Sequence, residues 1–444
     1  MTGTPQWSSR SGFVMAAVGF AVGLGNIWRF PYVTGENGGG AFVIVYLLCA
    51  LAIGVPFLIA ELLVGRRGGK SPPGSMRAVA VDEGQSPRWA AAGFLHLATA
   101  FLIAVVYAVI AGWVLAYLWE ALAHGFHGVT AESATRNFET FVASFPRLLG
   151  WSLLVVGIGT AVIFAGVQGG IERSVRVLMP TLFVLLVVLA VYNAFTGGFF
   201  AALDYLFTPD FSALSPEMLL AAVGQAFFSI GVGMAGMMTF GAYLPKEVSI
   251  AGSAIIIVIA DTLVALVAGL VIFPVVFHFG LDPSGGAGLI FQTLPVAFAQ
   301  MPAGAVVSVA FFLLLSVAAI TSLVGLLEGP VAWLTIWKGW ARGPASLLVG
   351  ALVAVCSMVS ILTFNHWSDV TVFSVPLGKV LDYVPNQIML PLGGLLIAVF
   401  VGWFVRRATL VEELDLPQWA FGAWHALIRY LAPLVVVVLM LALL

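Results

Sequence analysis

Three observations predict an all-α membrane protein. The chain of 444 residues is 61% apolar and only 9% charged, against roughly 45–50% and about 25% in soluble domains. Its mean hydropathy is +1.09. Apolar runs of about 20 residues, the length that crosses a bilayer as a helix, recur from end to end. The runs are apolar all round rather than alternating, so in lipid they satisfy their backbone groups as helices and not as barrel strands. The 18 Lys and Arg against 20 Asp and Glu leave a net charge of −2. That balance offers no basic face for nucleic acid, and the composition excludes a water-soluble enzyme or a disordered chain.

Charged and Gly/Pro-rich breaks divide the chain into eleven segments, near 10–34, 41–65, 90–123, 149–166, 175–196, 218–243, 250–278, 303–337, 345–363, 384–405 and 420–443. MTGTPQWSSRSG leads straight into the first and has no small-residue cleavage site, so it reads as mature chain. With the N-terminus cytoplasmic, one side receives Arg10, Arg66, Arg67, Lys70, Arg77, Arg88, Arg173, Arg176, Lys246, Lys338, Arg342, Arg406, Arg407 and Arg429. The outer side receives only Arg29, Arg136, Arg147 and Lys379, as the positive-inside rule requires, and Leu444 ends outside. Cys49 and Cys356 lie within apolar runs and provide neither a disulfide framework nor a metal cluster.

Segments 1 and 6 carry glycine clusters at mid-depth, GFAVGLGN at 19–26 and SIGVGMAG at 229–236. Taken singly, each is equally a close helix contact or a stretch where the helix unwinds. Together they stand at matching places in two halves, 10–196 and 218–405, which points to an inverted repeat of five helices each with a binding site at the midplane. Segment 420–443 is then an extra helix 11 of a single transmembrane domain spanning 1–444.

The motifs AVGLGNIWRFPY from Ala21, ENGGGAF from Glu36, GQAFFSIGVGMAG from Gly224, GLIFQTLPVAF from Gly288, AAITS from Ala318 and LDY from Leu381, with Trp7 and Arg10 ahead of segment 1, carry a resemblance. The chain resembles the neurotransmitter:sodium symporters, among them the bacterial LeuT-type amino-acid transporters. The resemblance implies that fold, with helices 1 and 6 unwound at mid-membrane, and sodium-coupled uptake by alternating access.

By the same resemblance, a first sodium site uses the Ala21 carbonyl, the Asn26 side chain, Ser229 and Asp261, and a second uses the carbonyls of Gly19, Val22 and Ala318 with the hydroxyls of Thr321 and Ser322. Two sodium ions are therefore expected. Asp261 interrupts an apolar run at a cost of about 2.5–3.5 kcal/mol on insertion scales, so an ion is its expected partner. Among the equivalents of the chloride ligands of animal relatives, Tyr46, Gln225 and Ser229 are present. Ala265 stands where a serine is needed, and an anionic Asp261 supplies the charge, so no chloride is expected.

Monoamine carriers of the family have an aspartate at the position of Gly23. Its absence fits a substrate that brings its own carboxylate to sodium, the Leu24 and Gly25 amides and the Tyr107 hydroxyl, with its ammonium at carbonyls of Ala21, Phe228 and Ser229. Phe20, Ile103, Phe228, Gly231, Met234, Ser322 and Leu326 line an uncharged side-chain pocket in which Gly231 opens room. A neutral, bulky hydrophobic or aromatic α-amino acid is the expected substrate. Arg29 and Asp382 match the external gate, with Tyr107 and Phe228 as its lid. On the inner side Thr4 replaces the family's base, and VAWLTIWKGWARG has no acid. The inner gate must then close by other contacts, with Trp7 docking into an apolar pocket.

Glu61 reads as a structural acid bonded to unwound backbone, whereas Glu328 fits a structural or a proton-relay role equally. The expected partners are the amino acid and the lipid bilayer of a bacterial inner membrane, with no nucleic acid, and a monomer or weak homodimer. The alternative is a receptor-like or scaffold protein that keeps the fold without transport. No pairing of nucleophile and base indicates an enzyme.

Overall fold

The computed structural model describes residues 5–195, 197–281 and 288–442. The expectations placed on Thr4 and Leu444 lie outside the described residues. Among the described residues, nine helices are long and apolar enough to cross a membrane: Gly40–Gly68, Pro87–Ala123, Phe145–Phe164, Val167–Ala194, Ile250–His278, Gly304–Trp337, Arg342–Leu362, Leu377–Phe404 and Gln418–Ala442. They are segments 2 to 5 and 7 to 11.

The remaining two are broken. Segment 1 comprises Arg10–Ala21 and Gly25–Glu36, bent by 48°. Segment 6 comprises Pro216–Ile230 and Gly236–Ala242. Its break runs through Gly231 at φ +74° and Gly233 at φ +83°, left-handed conformations that glycine adopts without a Cβ clash. Ala235, at φ +62°, holds a third such turn just before the second half begins. The glycine clusters are thus unwound stretches, and the alternative of unbroken helices packed through small residues is ruled out.

Segments 3 and 8 are the most enclosed, with 72% of their apolar windows buried, whereas segments 4, 5 and 11 bury 33%, 28% and 22% and turn the rest outward. Segments 1, 3, 6 and 8 therefore form the centre, and the two breaks meet there. Short helices absent from the eleven-segment reading cover the ends: Pro72–Asp82, Ala131–Ala143, Phe199–Phe207 and Leu289–Gln300. Ala131–Ala143 starts on a reciprocal cap in which Thr130 accepts from the Ser133 amide and Ser133 from the Thr130 amide.

Candidate functional site

Where segment 1 unwinds, its freed carbonyls face segment 8. The Ser322 hydroxyl stands 3.1 Å from the Phe20 carbonyl, 3.4 Å from that of Val22 and 3.5 Å from that of Gly19. On the neighbouring residue, the Thr321 hydroxyl bonds the Val317 and Ala318 carbonyls of the preceding turn at 3.0 and 3.1 Å. Gly19, Val22, Ala318, Thr321 and Ser322 are thus brought together between the two segments.

The other cluster lies behind the break. Asp261 is fully buried on segment 7. Its carboxylate accepts from the Asn26 amide at 2.7 Å and from the Ser229 hydroxyl at 2.6 Å. Asn26 also donates to the Ser229 hydroxyl and the Asp261 carbonyl, while its own oxygen accepts from the Gly23 amide at 3.0 Å. The Asn26 oxygen therefore serves segment 1 in this arrangement, and the amide must turn before it can face an ion beside Asp261. Among the described residues no cationic side chain pairs with Asp261. A carboxylate in an apolar interior with only neutral donors fits a cation. Gln225 donates to the Gly25 carbonyl at 2.9 Å, and Ala265 is buried on segment 7, one turn beyond Asp261.

Between the clusters a cleft is lined by Phe20, Ala21, Gly23, Leu24, Gly25, Ile103, Tyr107, Phe228, Gly231, Met234, Ser322 and Leu326. All twelve belong to the expected substrate set. Ser229, the thirteenth, faces Asp261 instead. The Leu24 amide points at the Tyr107 hydroxyl, 3.4 Å away. No charged side chain lines the cleft among the described residues.

The room expected from Gly231 is already filled. A Cβ at Gly231 would fall 2.9 Å from the Phe20 ring, at Gly236 2.5 Å and at Gly325 2.1 Å. Three glycines thus seat the Phe20 ring, and only about 30 Å³ of water-accessible space is left in the cleft.

The external pair is not formed. The Arg29 guanidinium lies over the Phe228 ring, 4.6 Å from its centre, and the exposed Asp382 accepts from Asn386 at 2.8 Å. The inner end, by contrast, is shut. Trp7 is buried, donates from its indole to the Phe240 carbonyl at 3.0 Å and packs edge-on against the Phe240 ring. Ser8 is gripped through its amide and hydroxyl by Glu172, which also pairs with Arg176 at 2.6 Å.

An acid does close this end. Glu328, fully buried, accepts from both terminal nitrogens of Arg342 at 2.6 and 3.0 Å and from the Tyr243 hydroxyl at 2.8 Å. That saturation fits the structural reading of Glu328, and its pair with Arg342 joins the docked Trp7 among the other contacts that close this end. In the sequence Arg342 reads only as a topology charge, and Glu172 carries no signal. Nothing in their local spacing names partners 14 and 164 residues away. His124 meets Glu120 at 3.1 Å, but no group of three metal-binding side chains gathers among the described residues.

This arrangement, with two broken helices crossing over a buried carboxylate, is that of a secondary transporter. The model of the sodium:neurotransmitter symporter family matches residues 4–140 and 143–444, and the chain belongs to that family. It is 35% identical to an uncharacterized sodium-dependent transporter, YhdH, of Bacillus subtilis, over 98% of this chain and 97% of the relative. A second uncharacterized sodium-dependent transporter, from Haemophilus influenzae, is 32% identical over 98% and 96%. Among solved structures, MhsT in complex with L-phenylalanine is 40% identical and superposes over the whole of both chains with a TM-score of 0.92. The fold is therefore the LeuT fold of a multi-pass membrane transporter.

Proposed function

We propose that the protein is a sodium-coupled symporter that imports a neutral, bulky hydrophobic or aromatic α-amino acid. The observation that carries this reading is the buried Asp261 carboxylate, held by neutral donors beside an uncharged cleft. Sodium next to Asp261 offsets its charge and keeps a coordination position for an oxygen of the substrate carboxylate. Ala21, Asn26 and Ser229 complete this first site, and Gly19, Val22, Ala318, Thr321 and Ser322 form the second. The carboxylate then reaches the Leu24 amide and the Tyr107 hydroxyl, which already face each other. The ammonium meets carbonyls freed by the two breaks.

The apolar lining favours a side chain without charge, since a charged one would be stranded there. MhsT, crystallised with L-phenylalanine, supports the aromatic end of the range. The Phe20 ring is one wall of the cleft, so its seat on the three glycines sets the room left for the substrate side chain. The open Arg29 and Asp382 pair and the shut inner end describe the outward-facing half of the cycle. Closing the pair over Tyr107 and Phe228, then releasing Trp7 and Ser8, delivers substrate inward.

Asp261 and Ala265 support transport without chloride, and the bacterial relatives together with the clustering of Lys and Arg support an inner-membrane protein with a cytoplasmic N-terminus. A monomer suffices, because the whole site lies within one chain. Thermal stability of the purified protein across the twenty amino acids, each in sodium and in potassium, tests the reading. Stabilisation by a hydrophobic amino acid in sodium alone is expected, and equal responses in both salts would overturn it. A non-transporting scaffold would bind without accumulating substrate.

A further inference from the structure

Glu61 on segment 2 and His96 on segment 3 are both fully buried and face each other with His96 Nδ1 3.5 Å from Glu61 Oε1. Glu61 Oε1 accepts the Gly233 amide at 2.7 Å, inside the break of segment 6. His96 Nε2 lies 3.1 Å from the Gly393 carbonyl of segment 10. A carbonyl only accepts, so Nε2 carries its hydrogen and Nδ1 is the basic atom turned toward Glu61. The remaining polar atoms, Glu61 Oε2 and His96 Nδ1, have no hydrogen-bond partner among the described residues.

Without a proton between them, the couple leaves an uncompensated carboxylate buried in the protein, which is strongly unfavourable. With one proton it is neutral overall, as an acid beside an imidazole or as a carboxylate beside an imidazolium. Among the described residues no other group takes that part. Gly236–Ala242 and Leu390–Val399, packed alongside, carry no ionisable side chain. On the other neighbours, Glu328 is held by Arg342 and Tyr243, Arg66 and Arg67 by Glu413, and Asp261 by Asn26 and Ser229.

We infer that Glu61 and His96 form a binding site for one proton, loaded in this arrangement and exchanged with water when the broken stretch of segment 6 and segment 10 move. The proton arrives from and returns to bulk water, and no other bond forms or breaks. Each residue holds one moving element by a single hydrogen bond, so displacement of either element changes how well the proton is held. Gly393 keeps the place for the ring, since a Cβ there would fall 3.1 Å from His96 Cδ2 and Nε2. The inference rests on the alternating-access reading and adds a proton to its coupling ions.

The test uses the full-length protein in detergent, weakly buffered with a pH indicator, with sodium chloride and then L-phenylalanine added against a potassium chloride control. Wild type should exchange close to one proton per chain with the medium. Glu61→Gln keeps an acceptor for Gly233 and His96→Gln keeps a donor for Gly393, so both should retain sodium-dependent L-phenylalanine binding and lose the proton signal. A signal that survives in both variants, or in His96→Gln alone, would overturn the site, because a merely structural Glu61 needs no imidazole. Intact sodium-dependent binding by wild type without any proton exchange would overturn it too. Absence of sodium-dependent binding by wild type would count against the transport reading instead. Should the variants fail to fold, 15N-histidine spectra of wild type decide: one of the six histidines must hold its Nε2 hydrogen and change at Nδ1 between sodium and potassium, and no such resonance refutes the couple.

Discussion

In the proposed reading Asp261 sets the ion affinity of the site and Phe20 the side-chain volume it accepts. The substitution Asp261→Asn keeps the shape and one hydrogen-bonding oxygen but removes the charge. Sodium affinity, read from sodium titrations of substrate binding, should fall at least ~10-fold, about 1.4 kcal/mol. Exchange of chloride for gluconate should leave wild-type transport unchanged and affect the Asp261→Asn variant. Unaltered sodium dependence in that variant would remove Asp261 from the ion site. Gly325→Ala places a Cβ where the Phe20 ring now sits, 2.1 Å from Cδ2, and drives the ring toward the cleft. Its affinity for L-phenylalanine should drop by at least ~10-fold, the cost of displacing a packed ring, while Phe20→Ala should shift preference toward larger side chains. Equal affinities for all three proteins would dissociate Phe20 from substrate volume.

The broken segments are the elements that turn local conformation into function, and they are also where the sequence was most legible. GFAVGLGN and SIGVGMAG pointed to both breaks only when taken together, since a glycine cluster at mid-depth serves close helix packing equally well and the matching places in two halves decide between them. The walls of the cleft followed from the motifs around them, down to Tyr107 and Leu326. What was hidden depends on long-range packing. Gly231 reads as open space until the Phe20 ring is found in it, and His96 reads as one scattered histidine until Gly393 is brought beside it. The Glu328, Arg342 and Tyr243 network was likewise invisible, because it joins segments 6, 8 and 9 at the inner end. Arg342→Gln leaves Glu328 buried without its cation, and stability measured by unfolding in detergent should fall by about 3–5 kcal/mol. Cysteine labelling near Trp7 should increase in the same variant as the inner end loosens. Labelling unchanged from wild type would limit the network to stability.

At the scale of the whole molecule, ion pairs fasten one end while the other carries an open gate. Arg66 and Arg67 join segment 2 to Glu413, and Arg406 reaches back to Glu83 at 2.7 Å. Burial pushes the Glu83 carboxyl up, but hydrogen bonds from Arg406 and Thr409 outweigh it and hold the group below its usual 4.5. A carboxyl lowered by folding stabilises the protein above about pH 4.5, and that contribution is lost as the pH falls through the folded value. Glu83→Gln should therefore lower the melting temperature at about pH 7 and leave it close to wild type in acid below the folded value. An equal loss at both pH values would show that Glu83 acts by packing alone. On the proposed reading, the fastened end and the gated end together move solute against its gradient. The most direct test is accumulation of L-phenylalanine by proteoliposomes under an imposed inward sodium gradient, in chloride-free medium. The account predicts uptake above equilibrium that collapses when potassium replaces sodium or when an ionophore dissipates the gradient. Uptake that only equilibrates, or that is the same in potassium, would contradict it.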